Sequence, residues 1–300
     1  MSRLERIVAA CGGILLDGGA RALIPGPNHS HKDRSVSLAE TEEGRILIHC
    51  FSPKDDWRDV RRALADLGLL DDEPRGDQRG SRSSTPTIAA QPASEERVAR
   101  AHRIWDESHP LRHTVATAYL RRRAIPENLW DTPALRFHPT MTSVDDRSRR
   151  PALVAAISDS SGTLQGVQVT LLTAHGTAKA AVGTPRRVIG KLMGGVVRLH
   201  DVQDELGVGE GVETMLSASH ALGLPVWAAL SADNLSRFAA PSSIRRMVIV
   251  TDADAAGEHA AEALASRVDP RPERAPPPSG FKDWNDWARH EAGLASGAEF

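Results

Sequence analysis

The sequence predicts an α/β fold in which residues 201–300 form a parallel sheet covered by helices. From Leu206 onward, short apolar runs alternate with segments of helical period, the pattern of strand and crossover helix. Two of those runs end in carboxylates, "LGVG" in Glu210 and "MVIV" in Asp252 and Asp254. A polar stretch rich in Gly, Pro and Ser, residues 71–96, shows no periodicity and reads as a flexible linker after an N-terminal unit at 1–70.

The composition sets bounds on function. The chain has 300 residues, of which 40% are hydrophobic and 25% charged, with a net charge of -2. That charge gives no global basic signal, so any nucleic-acid site must come from local clustering. Cys11 and Cys50 are the sole cysteines, too few for a disulfide scaffold and in keeping with a reducing cytoplasm. The N-terminus lacks the apolar core of a signal peptide, and no run is long enough for a membrane helix. The expectation is a cytoplasmic protein with no membrane partner.

Each element follows from its local pattern. "ERVARAHRIWDES" and "TVATAYLRRR" read as helices, the second ending in Arg121, Arg122 and Arg123. Residues 151–180 read as strands joined by the Gly-containing turns "DSSG" and "AHG". Leu206–Gly209 reads as a strand. Val212, Met215 and Leu216 then share one helical face, with Ser219 less apolar at the next position. "PVWAAL" is a strand, "ADNLSRF" a short helix, "MVIV" a strand, and "AGEHAAEALASRV" and "DWNDWARHE" are helices.

In open parallel sheets, active sites lie beyond the carboxyl ends of the strands. Glu210 and Asp252 both fall at that edge, and Asp254 points to the side of Asp252 if the backbone is extended. Asp283 and Asp286 in "KDWND" offer further oxygens from the next loop. Hard oxygen donors without a His or Cys cluster suit magnesium or manganese, not zinc. An Asp-x-Asp at a strand end is by itself a common capping feature; the order strand–Glu–Gly–helix, strand–Asp–x–Asp–helix is what points to a site.

With that order, "GVGEGVETMLSA", "MVIVTDADAAG" and "KDWND" resemble a Toprim domain, the metal-binding fold of DnaG-type primases, topoisomerases and some nucleases. The resemblance implies that Glu210, Asp252 and Asp254 hold catalytic Mg2+ or Mn2+, with assistance from Asp283 or Asp286. Glu213, in the "GVET" form of the motif, is similar to the phage and plasmid primase branch. Residues 97–200 resemble the α+β subdomain that precedes Toprim in those primases. Within it Lys179, Arg186, Arg187 and Lys191 suit triphosphate or template phosphates, a solvated basic face being the alternative. The same two readings hold for Arg121–Arg123, while Tyr119 reads as packing.

Residues 1–70 resemble the zinc finger of the same family in degenerate form. Gly26 and Lys54 stand where the first and last Cys are expected, leaving His29 and Cys50. A closed tetrahedral site needs four ligands, and His31 and His49 are the nearby alternatives. The expectation is no zinc and a unit held by Ile46, Ile48, Phe51, Trp57, Val60 and Leu64.

The resemblance thus implies a primase that makes short primers on single-stranded DNA from nucleoside triphosphates by two-metal chemistry. A Toprim nuclease and a non-catalytic nucleic-acid-binding replication accessory protein are the alternatives, and the carboxylates alone do not separate the first two. Topoisomerase chemistry needs a dedicated tyrosine, and the sole tyrosine, Tyr119, lies in a primase-like helix. "GTPRRVIGKLMGG" fails the phosphate-loop spacing, with Pro185 for the first Gly and Leu192 for Ser or Thr. Unwinding would therefore fall to a separate replicative helicase.

Overall fold

The computed structural model describes residues 2–27, 29–30, 33–41, 44–50, 56–70, 90–269 and 271–294. The chain divides into two compact units, Met1–Thr85 and Pro86–Phe300. None of the described helices is long and apolar enough to cross a membrane.

In the first unit, helix α1 (Arg3–Cys11) precedes β1 (Ile14–Leu16), β2 (Arg21–Ile24), β3 (Val36–Glu40) and β4 (Ile46–Cys50), and α2 (Trp57–Asp66) follows. The strands form an antiparallel sheet in the order β1-β2-β3-β4. Ser2 starts α1 with a reciprocal capping box to Glu5. Leu4, Ile7, Ala22, Ile24, Val36, Leu38, Ile46, Val60 and Leu64 form the core. Three of the expected core residues, Ile46, Val60 and Leu64, are in it, and Ile48 packs against it. Trp57 instead is 47% exposed with the Arg58 guanidinium over its ring, because it opens α2 on the solvent side. Phe51, His31 and Lys54 lie outside the described residues. His29 Nδ1 lies 2.8 Å from Asp33 Oδ2, and His49 and Cys50, adjacent on β4, point to opposite faces of the sheet.

The second unit begins with α3 (Ala90–Asp106), which starts inside the segment read as linker; residues 71–89 of that segment lie outside the described residues. Next come α4 (Val115–Arg122), β5 (Leu135–Thr142), β6 (Arg149–Ser158), β7 (Leu164–Leu171) and β8 (Arg186–Gly190). These strands form an antiparallel sheet in chain order. Ala152, Val154, Val167 and Val169 pack with Ala101 and Ile104 of α3, while Leu153, Ala155 and Ile157 pack with α4 on the other face. Burial of both faces explains why "PALVAAI" runs apolar without alternation.

The remaining elements are β9 (Val197–Arg198), β10 (Glu205–Gly209), α5 (Val212–Leu222), β11 (Val226–Ala228), α6 (Ala232–Ser236), β12 (Arg246–Val250), α7 (Ala255–Ala265), β13 (Glu273–Ala275) and α8 (Trp284–Glu291). Their sheet has the order β13-β12-β10-β11-β9. Its pairs are parallel except for β9 with β11, so the sheet is mixed at one edge. Leu206, Val208, Met247 and Ile249 face Leu235 of α6 and Ala261 and Leu264 of α7. Val250 and Val226 face Met215 and Leu216 of α5 on the opposite side, where Trp284 of α8 also packs. Helices therefore cover both faces, as the sequence predicts.

Gly209, the last residue of β10, is fixed by packing. A Cβ there would clash with the carbonyl oxygen of Val250 and sit 2.6 Å from Met215 Sδ. The first partner is neighbouring-strand backbone and cannot move cheaply. Gly209→Ala is expected to destabilise the unit by about 1–3 kcal/mol, read as a lower urea midpoint. An unchanged midpoint would show that β10 and α5 are not tightly packed at this point.

Candidate active site

Glu210 and Asp252 emerge side by side because β10 and β12 are parallel and in register, Val208 opposite Ile249. Glu210 is the residue between β10 and the N-cap of α5, Gly211. Its carbonyl accepts from the Leu230 amide at 2.9 Å. Leu230 sits at φ 69°, a conformation costly for a side chain of this kind, and it forms part of the cleft wall.

Asp252 lies two residues beyond β12, at the start of the loop into α7. The loop is held by backbone contacts: the Ala253 amide donates to the Lys282 carbonyl at 2.7 Å, joining it to the segment that carries Asp283. Asp252 Oδ1 is buried and has no hydrogen-bond partner in the structure. Burial, then Glu210, Asp283 and Asp254, push its carboxyl up to about 7, with Arg186 acting in the opposite direction. Glu210 is raised for the same reasons, burial first and then Asp254.

The other acids stand further off. Asp254 is exposed and caps α7, its Oδ1 accepting from the Gly257 amide at 2.8 Å. Asp283 caps α8 by accepting from the amides of Asn285 and Asp286 at 2.7 and 2.8 Å, yet it still lines the cleft. Asp286 lies in the first turn of α8, its Oδ2 3.5 Å from the Lys282 amide, outside the cleft lining. The five acids expected at the site therefore separate: Glu210, Asp252 and Asp283 share a cleft, and Asp254 acts on it by charge. The capping bonds explain the divergence, since each satisfies an otherwise orphaned amide.

Cations form the facing wall. The cleft, of about 160 Å3, is lined by Arg123 at the end of α4, Gln168 of β7, Lys179 of the β7–β8 loop and Arg186 of β8. Arg187, the next residue on β8, points to the other face and donates to the Thr142 carbonyl at 2.8 Å. Lys191 is exposed beyond β8 and does not line the cleft. The basic run of the sequence is thus split by strand alternation, with Lys179 and Arg186 directed to the cleft. Of the three consecutive arginines, Arg123 lines it, whereas Arg121 pairs with Glu127 at 2.8 Å on the surface.

Between the cations lies Glu213, a residue not among the site residues expected from the sequence. Glu213 Oε1 and Oε2 lie 3.7 Å from Lys179 Nζ and from an Arg186 guanidinium nitrogen. The Tyr119 hydroxyl donates to Glu213 Oε1 at 2.6 Å and accepts from Arg123 Nε at 3.2 Å. Burial alone would raise the Glu213 carboxyl; Lys179, Arg186, Tyr119 and Arg123 outweigh it and hold it down to about 2. Tyr119, read as packing, is buried and polar-linked at once, and burial together with Glu213 pushes its phenol well above the ordinary range. Asn285 closes the network, donating to the Arg123 carbonyl at 2.7 Å and to Ser217 Oγ at 2.9 Å. A signal existed for Glu213: a charged residue in a helix buried from Val212 to Ser219 needs a partner.

The donor set fits a hard divalent cation in its chemistry: carboxylate oxygens only, one of them buried without a partner. It is not a closed cage, since among the described residues no three His, Cys, Asp or Glu side chains are gathered closely enough to hold a metal ion.

The sheet, parallel except at β9 and with these acids beyond the carboxyl ends of two adjacent strands, is consistent with a Toprim fold. Residues 205–293 match the Toprim domain family, and this part of the chain is a Toprim domain. Residues 95–199 match a domain of unknown function, DUF7146. No curated protein matches the sequence. Among solved structures, the chain is similar to the primase fragment of the bacteriophage T7 primase-helicase protein, with 17% identity over 91% of this chain and 95% of that one at a TM-score of 0.41. It is also similar to the Aquifex aeolicus primase, zinc-binding and RNA polymerase domains, with 16% identity over 98% and 81% at 0.45. The E. coli primase catalytic core matches with 16% identity over 66% and 76% at 0.43.

The raised Asp252 carboxyl gives a pH test. A carboxyl raised by folding favours the protonated native state, so its stabilising contribution is present at low pH and is lost as pH rises through about 7. In chelator, Asp252→Asn is expected to melt at a higher temperature than the parent at about pH 8, with the difference narrowing as pH falls and vanishing only below about pH 4, the ordinary carboxyl value. Equal melting across this range would mean that Asp252 is not strained by its neighbours.

Proposed function

We propose that this chain is a primase-type nucleotidyltransferase that extends a 3′-hydroxyl with a nucleoside triphosphate on a single-stranded DNA template. One observation carries the reading: a single cleft has carboxylates on the Toprim wall and Lys179, Arg186 and Arg123 on the wall of the preceding domain. Acids alone suit any Toprim chemistry; a facing set of cations suits a polyanionic triphosphate.

In this reading Glu210 and Asp252 hold Mg2+ or Mn2+, with Asp254 and Asp283 adding negative potential. When bound, the cation would supply Lewis acidity at the reacting phosphate and lower the pKa of the attacking hydroxyl. The chain supplies the rest. Lys179 and Arg186 orient the triphosphate and offset charge on the departing pyrophosphate. Gln168, beside them on β7, offers a neutral donor to the same ligand. Glu210, half-buried and with a raised carboxyl, is placed to hold metal or to accept the hydroxyl proton. Single-stranded DNA is the partner this activity requires, with a replicative helicase supplying it where the DNA is duplex.

The test is oligonucleotide synthesis from nucleoside triphosphates on single-stranded DNA with Mg2+ or Mn2+. The parent is expected to make short products, and Asp252→Asn and Glu210→Gln to lose at least about a hundredfold in rate. Lys179→Ala is expected to raise KM for the nucleotide more than it lowers kcat. Degradation of the DNA without synthesis would replace this reading with the nuclease one. No metal-dependent change in either polymer would leave a binding protein.

A further inference from the structure

We propose that Glu213 is a positioning residue that holds the cationic wall of the cleft open for a triphosphate. The inference rests on the nucleotidyltransferase reading and adds to it a residue of the cleft wall that holds Lys179, Arg186 and, through Tyr119, Arg123 in place.

A buried charge needs a physical reason. Glu213 is 7% exposed and sits on a helix buried on all sides over its first two turns. An acid there is strongly destabilising unless it is paired. Its partners come from three separate elements: Lys179 from the β7–β8 loop, Arg186 from β8, and Tyr119 from α4. Through the Tyr119 hydroxyl, the same carboxylate also fixes Arg123. One buried anion therefore sets the location of three cations that the chain brings in from different places.

The lengths of these contacts matter. At 3.7 Å, Lys179 and Arg186 are held to Glu213 by Coulomb attraction and not by short hydrogen bonds. Both also line the cleft, Arg186 with 44% of its side chain exposed. Arg186 is the group most exposed to competition, since Glu210 and Asp252 attract it as well. Without the charge on Glu213, Arg186 is drawn toward those acids, and Lys179 loses one of the contacts that limit its rotamers. The cations would then neutralise the acidic wall instead of facing it.

The sign of the effect separates positioning from plain electrostatics. If Glu213 acted only as a nearby negative charge, removing it would strengthen the binding of an anion. If it positions the cations, removing it weakens that binding.

The experiment uses the full chain and inorganic tripolyphosphate as the probe, followed by calorimetry, with thermal melts to confirm folding. Glu213→Gln is expected to bind about tenfold more weakly than the parent, and in the synthesis assay to raise KM for the nucleotide with kcat changed less. Equal or tighter tripolyphosphate binding by Glu213→Gln overturns the positioning role while leaving the nucleotide reading standing. A parent that binds no tripolyphosphate overturns both. Tyr119→Phe supplies an independent test if Glu213→Gln does not fold: it keeps the buried charge and removes only the hydroxyl that links it to Arg123. It is expected to bind about threefold more weakly, and parental affinity would count against the proposal.

Discussion

A carboxylate placed among other carboxylates at the end of a buried strand is a poor anion until a cation arrives. Asp252 is in that position, with a buried oxygen that has no partner and with Glu210, Asp283 and Asp254 nearby. The parallel pairing of β10 and β12 forces this crowding, because it brings two strand ends to one edge. Gly209, without a Cβ, lets β10 lie this close to Val250 of β12 and Met215 of α5. The acidic wall is thus a strain that the sheet imposes and that a divalent cation would discharge.

The opposite wall solves the inverse problem. Three cations around one cleft repel each other, and the buried Glu213 carboxylate offsets part of that repulsion, 3.7 Å from Lys179 and from Arg186 and linked to Arg123 through Tyr119. It can do so only because α5 lies between the Toprim sheet and the preceding domain, buried against Val226 and Val250 on one side and in the same core as Tyr119 and Leu120 of α4. Glu210, in the loop just before α5, faces the acids, and Glu213, in the first turn of the helix, faces the cations. Three residues of sequence therefore separate two acids with opposite environments: one carboxyl is raised by burial and like charge, the other is held down by opposite charge.

The parts legible in the sequence are those where one physical demand fixes the residues. Strands β10 and β12 are buried on both faces, so they read as apolar runs, and their ends give Glu210 and Asp252 directly. Strand β13 is short and flanked by prolines, and β9 spans only Val197 and Arg198, so neither carries a pattern. The antiparallel edge of the sheet was hidden for that reason. In Arg186 and Arg187 a strand's alternation looked like a basic run, and only the pairing of β8 with β7 separates them. Asp254 and Asp283 belong to a residue type that serves both as ligand and as helix cap, and here both cap. The Glu213–Tyr119–Arg123 link joins residues about 90 positions apart, which no local pattern encodes.

The most direct measurement is a titration of Mn2+ by electron paramagnetic resonance, on the parent and on Asp252→Asn, across pH. The parent is expected to bind Mn2+ at about pH 8 and to lose affinity as pH falls through about 7, because protons and the metal compete for the same strained carboxylate. Asp252→Asn should bind weakly throughout, with little dependence on pH in that range. If the variant binds Mn2+ as the parent does, with the same pH profile, the metal is held elsewhere and the strand-end carboxylates are not the centre of the site.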